Sequence, residues 1–146
     1  MWSDTLLLAE RAWVLRVLVW GGACALLGTT LLVFLAQRPR STRLLAHFAI
    51  QTAAWGMCQV IGAVLWWRAL TPRDIAGAER LDDMLWFLAG LETGIVMAAL
   101  AMIAIGWRTG KRLSILGAGT AIVVQGLALL LLNLHTLARI ATLRIA

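Results

Sequence analysis

Long apolar runs alternate with short charged stretches along the whole chain. The runs fall at about residues 12–36, 44–67, 84–107 and 113–134. Each reaches the length of about 20 residues needed to cross a hydrocarbon core roughly 30 Å thick. Lipid cannot satisfy free backbone groups, so such segments fold as helices, and short links between them make sequential neighbours antiparallel. The pattern therefore predicts an all-α integral membrane antiparallel four-helix bundle, a single transmembrane domain over residues 1–146.

Punctuation between the runs agrees with this division. Arg38-Pro39 is expected to stop the first helix, and Gly110 stands where a left-handed cap would close the third. Thr71-Pro72-Arg73-Asp74 reads as a capping box with proline at the first helical position, so a short polar helix is expected over about residues 72–83, ending near Leu81 or running into the third span. The mixed charges of this stretch suit a solvated interfacial helix. Gly21-Gly22-Ala23-Cys24 faintly resembles a lipoprotein cleavage box, but the apolar run continues to Ala36 and retention as a true span is expected. Cys24 and Cys58 fall inside spans, where thiols behave as small apolar groups, and no disulfide is expected.

Composition strengthens the membrane assignment. Hydrophobic residues make up 62% and charged ones 14% of the chain, with a mean hydropathy of +0.87, which excludes a soluble globular domain of this size. The formal net charge is +6, and the basic residues lie close to span ends, which suits anionic lipid headgroups and not nucleic acid. The first and third connections hold Arg38, Arg40, Arg43, Arg108, Lys111 and Arg112 with no acid, while Arg11, Arg16, Arg68, Arg73, Arg80, Arg139 and Arg144 share the other face with acids. The Lys and Arg counts on the two faces, six and seven, nearly tie and leave dual insertion open; their density in the two short connections favours those connections in the cytoplasm and both termini on the non-cytoplasmic side of an inner membrane. Trp13, Trp66, Trp67 and Trp86 mark the face shared by the termini, and Trp107 the opposite one; Trp20 and Trp55 lie deeper and are expected to pack against lipid or helices.

Glu92 is the one acidic residue well inside a span. A carboxylate there costs on the order of 3 kcal/mol unless it is paired, protonated or open to a water-filled cavity. Counting along each helix puts Gln59, Glu92 and Gln125 roughly 12 to 14 Å below the same face, an intramembrane polar layer shared by three helices. A second layer, of Thr29 or Thr30 with Gln51 and Thr120, is expected near the other face. The layer around Glu92 either fixes helix register through interhelical hydrogen bonds or forms a proton or cation site. Gly90, Gly94 and Ala98 recur every four residues as a helix-packing stripe on the side of the third helix opposite Glu92, so both sides of that helix ask for protein neighbours. A central third helix or an oligomer would supply them. Gly21, Ala25, Gly28, Gly56 and Gly117 offer further close approaches.

His47 and His135 sit at opposite faces, nearly a membrane thickness apart, so one chain cannot ligate a haem through both. His47 remains a possible lone ligand, with contact to headgroups or water the simpler role. No metal cluster, phosphate loop or nucleophile with its base is present in the sequence, so no metal, catalytic residue or enzyme activity is expected. Bound lipid is expected; pigment or haem is disfavoured.

The run Phe87-Leu88-Ala89-Gly90-Leu91-Glu92-Thr93-Gly94, with Gly117-Ala118-Gly119, Val124-Gln125-Gly126 and the earlier Ala53-Ala54-Trp55-Gly56, resembles an uncharacterised bacterial family of small four-span integral membrane proteins. The family tends to carry asparagine before its Gly-Leu-acid-x-Gly motif and an acid closing the last span; here Ala89 and Asn133 stand in those neighbourhoods. The resemblance implies the fold and the interest of Glu92, Gly94, Gln125 and Gly126, and implies no activity. Two roles are expected to compete. One is a non-catalytic accessory subunit or self-associating scaffold, with other membrane subunits or a second copy as partner. The other is a small oligomeric proton-coupled transporter using Glu92.

Overall fold

The computed structural model describes residues 2–38 and 42–145. Four helices account for nearly all of them: α1 (Trp2–Ala36), α2 (Arg43–Arg68), α3 (Ile75–Arg108) and α4 (Leu113–Ile145). All four are long and apolar enough to cross a membrane. The helices run past the apolar windows at the end of the bundle that carries both termini, hereafter the terminal end. Helices of 33 to 35 residues, the lengths of α1, α3 and α4, extend about 50 Å, against about 39 Å for α2 with 26 residues.

These extensions are amphipathic. Leu6, Glu10, Trp13 and Val14 recur at helical spacing and are buried, as are Ala78, Leu81 and Leu85 on α3, and Leu137 and Ile140 on α4. With Ala63, and leaving Glu10 aside, they form the main apolar core, which therefore sits at the terminal end, where all four helices contribute. Arg11, Glu79, Arg80, Asp83 and Arg139 occupy the outer faces of the same turns.

The connections show how the helices begin and end. The polar stretch before the third span is not a separate helix. It joins α3 without a break from Ile75, and the cap is Asp74, not Thr71: an Asp74 carboxylate oxygen accepts from the Gly77 N–H at 2.7 Å. A carboxylate three residues before that N–H satisfies one of the unpaired donors of the first turn, which leaves Pro72 outside the helix. At the other end of α3, Gly110 takes a left-handed conformation with φ 85° and Lys111 follows with φ 54°. The turn is closed by the Arg112 N–H donating to the Gly106 carbonyl at 2.9 Å, and the Lys111 ammonium lies 5.2 Å from the Trp107 ring centroid. Pro39, expected to stop α1, lies outside the described residues, as do Arg40 and the Arg144 side chain; α1 ends at Ala36.

Helix α4 is the hub, packing along α1, α2 and α3, while α3 packs extensively along α4 alone. The expectation of a central third helix is thus corrected. Its packing face is the stripe Leu81, Leu85, Ala89, Glu92, Val96 and Ala99, all buried, and the small residues Gly90, Gly94 and Ala98 are exposed beside it. A methyl group at Gly90 or Gly94 would meet nothing within 4 Å. Close helix approaches occur instead between α1 and α2 and, at Gly117, between α4 and the Leu44 backbone of α2. A Cβ at Gly56 would collide with the Ala25 backbone, and one at Gly28 would stand 2.8 Å from the Ala49 carbonyl. Gly126 does serve packing, since a Cβ there would lie 2.6 Å from Val96 on α3.

Candidate polar site in the bundle interior

Three tied groups of polar side chains run from the terminal end into the apolar interior. The outermost is an ion pair between α1 and the α2–α3 connection. Glu10 is 1% exposed, and its two carboxylate oxygens accept from Arg73 Nη2 at 2.6 Å and Nε at 2.9 Å. Trp66 Nε1 donates to the same carboxylate at 2.7 Å. Hydrogen bonding to Glu10 pushes the Arg73 pKa above its ordinary value, against the opposing effect of partial burial. The guanidinium, half-buried at the edge of the bundle, is therefore charged at any pH the fold meets.

One layer deeper, the Trp13 and Trp66 rings meet edge to face, with centroids 5.2 Å apart and planes at 81°. Trp13 Nε1 donates to Asn133 Oδ1 at 2.8 Å. This bond fixes the amide orientation, and Asn133 Nδ2 then reaches both carboxylate oxygens of Glu92 at 3.0 Å. Glu92 and Asn133 are both buried. Among the described residues no Lys or Arg pairs with Glu92, and its hydrogen-bond partner is Asn133.

The third group joins α1, α2 and α4. Gln125 Oε1 accepts from Gln59 Nε2 at 2.9 Å and from Trp20 Nε1 at 3.0 Å. The depth count thus finds its pair in Gln59 and Gln125, whereas neither amide bonds Glu92. Helix register explains the difference. Gly126 lies opposite Val96 and the Glu92 carbonyl, and the Glu92 side chain, leaning toward the N-terminus of α3, reaches Asn133 about two turns farther along antiparallel α4. Gln59, Glu92 and Asn133 nevertheless line one cavity of about 250 Å³, bounded by Trp13 and Trp66 toward the terminal end. Gln59 Oε1 is buried with no hydrogen-bond partner among the described residues.

Other expected positions fall apart. Of the second layer, Thr29 and Thr120 donate to carbonyls of their own helices, at Ala25 and Leu116. Such back-bonding satisfies a hydroxyl without a neighbour. His47 and His135 are exposed on different helices. Among the described residues no group of His, Cys, Asp and Glu could hold a metal ion. Trp20, expected to pack against lipid or helices, donates into the helix interface at Gln125.

Sequence reasoning missed Glu10, Trp13, Arg73 and Asn133 as members of the site. Glu10 carries a readable signal: with Leu6, Trp13 and Val14 it falls on a stripe of helical period, so its side chain must enter the core. Asn133 belongs to a similar stripe with Thr136, Leu137 and Ile140, all buried.

The matched family model covers residues 16–134, and the chain belongs to this family of unknown function, DUF6992. The match includes Glu92, Asn133, Gln59 and Gln125, and it begins after Glu10 and Trp13. No curated protein and no solved structure matches the chain.

Proposed function

We propose that this protein is a non-catalytic, multi-pass membrane bundle that serves as an accessory subunit or self-associating scaffold of a membrane complex. The setting is a bacterial inner membrane, with the termini on the non-cytoplasmic side, as the density of Lys and Arg at the far-end connections favours. The observation that carries the reading is the outward stripe of Gly90, Gly94 and Ala98. It has the every-fourth-residue spacing of close helix contacts, and no helix of the chain approaches its glycines. Inside, the polar groups are tied to one another across helices, which suits a rigid body presenting that face. The test is oxidative cross-linking in native membranes, using a chain whose Cys24 and Cys58 are replaced by alanine. Gly94→Cys is expected to give a cross-linked species. Gly22→Cys, at a glycine on α1 whose Cβ would likewise meet nothing within 4 Å, is expected to give far less. Equal yields at both positions contradict the reading.

A second reading is favoured by the cavity that Glu92 shares with Gln59 and Asn133. An intramembrane carboxylate lining a cavity is the element a small oligomeric proton-coupled transporter requires. Reconstituted in vesicles, such a carrier loses pH-dependent flux in Glu92→Gln. Flux retained with the same pH dependence removes this reading, and a scaffold shows assembly unchanged in the same variant.

A further inference from the structure

A second concavity lies away from Glu92. It is a groove of about 780 Å³ on the outer surface between α1 and α4, walled by apolar side chains including Val19, Trp20, Ala23, Ala128 and Leu132, with Arg16 and His135 on its walls. Two small residues line it at successive depths, Ala128 on α4 and Ala23 on α1, leaving room along the groove for a chain of methylenes.

Arg16 is the anomaly. It sits within the apolar part of α1, half-buried, and no hydrogen bond or ion pair reaches it among the described residues. A guanidinium surrounded by hydrocarbon is costly unless its head reaches an anion or the interface. Helix direction says where the head goes. The Trp13–Asn133 and Trp20–Gln125 bonds show α1 and α4 to be antiparallel and put Arg16 near the level of residue 130. Side chains lean toward the N-terminus of their own helix. Arg16 therefore leans toward the terminal end, whereas His135, farther out on α4, leans inward. The two heads approach each other at the outer mouth of the groove.

We infer that this groove is a binding site for one anionic phospholipid, its phosphate held by Arg16 and His135 and an acyl chain lying between Ala23 and Ala128. The occupant follows from the chemistry: the apolar floor takes a hydrocarbon tail, and the unpaired cation above it takes a phosphate, with the imidazole N–H as a second donor. The inference rests on the reading that the bundle spans a bilayer.

The test counts bound lipids by native mass spectrometry on protein in a mild non-ionic detergent. The protein is titrated with phosphatidylglycerol or with phosphatidylcholine of the same acyl composition. The wild type is expected to bind phosphatidylglycerol about five-fold more tightly, the preference one basic contact supplies. Arg16→Gln should abolish the preference and Arg16→Lys largely keep it. Ala128→Phe, which fills the groove, should weaken both lipids. Arg11→Gln, at an exposed arginine of the same end, should leave the preference intact. Equal binding of the two lipids by the wild type overturns the inference, and so does an Arg11→Gln loss as large as that of Arg16→Gln, since general attraction to a basic face would explain it. Competition by water-soluble glycerophosphate at the lipid's own concentration also overturns it, because the groove would then contribute nothing. A protein that stays monodisperse without detergent and binds neither lipid overturns the membrane reading as well.

Discussion

Glu10 and Arg73 form an ion pair whose two ends differ in surroundings. The carboxylate is wholly enclosed, whereas about a quarter of the arginine side chain is exposed. Removing the arginine strands a buried charge, and removing the charge on the acid leaves an arginine that can turn to water. Arg73→Ala should therefore destabilise by about 3 kcal/mol, within the range for breaking buried pairs, and Glu10→Gln by clearly less. Thermal unfolding of the two variants in one detergent checks the order. Equal losses contradict the asymmetry. The same scale shows what the sequence withheld. Glu92 is conspicuous because its charge interrupts an apolar run. Asn133 looks like the end of a span, and only the continuation of α4 beyond it turns that amide inward to Glu92.

At the scale of elements, the number and order of helices were readable because apolar length alone decides them. Their ends were not. An apolar window marks the part suited to lipid, while α1, α3 and α4 continue as ordinary amphipathic helices whose buried stripes make the core at the terminal end. Helix rotation was likewise hidden. Gly90, Gly94 and Ala98 have the spacing of a packing face, yet α3 turns the neighbouring stripe through Ala89, Glu92 and Val96 toward α4. The glycines that do bring backbones together include Gly21, Gly28 and Gly56, where α1 crosses α2, and Gly117, where α4 meets Leu44 at the start of α2. Gly56→Leu should force those helices apart and cost about 1 to 3 kcal/mol, as overpacking does. A lower unfolding temperature measures it, and an unchanged one would show that the approach is not tight.

For the whole molecule, α4 holds the other three helices, and the tied polar groups of Glu10, Asn133 and Gln125 connect the helices at successive depths. The outer side of α3 that carries Gly90 and Gly94 is open in the single chain. In the native membrane this side is expected to be covered by a helix of another subunit or of a second copy. The most direct measurement is the mass of the intact particle after extraction from its native membrane in mild detergent, for the wild type and for Gly90→Leu/Gly94→Leu. Because neither leucine meets an atom of its own chain where its Cβ begins, the variant should fold as the wild type does. The wild type is expected in a larger assembly and the variant as a single chain of 15.9 kDa plus detergent. A monomeric wild type, or a variant that keeps the wild-type mass, would contradict the account.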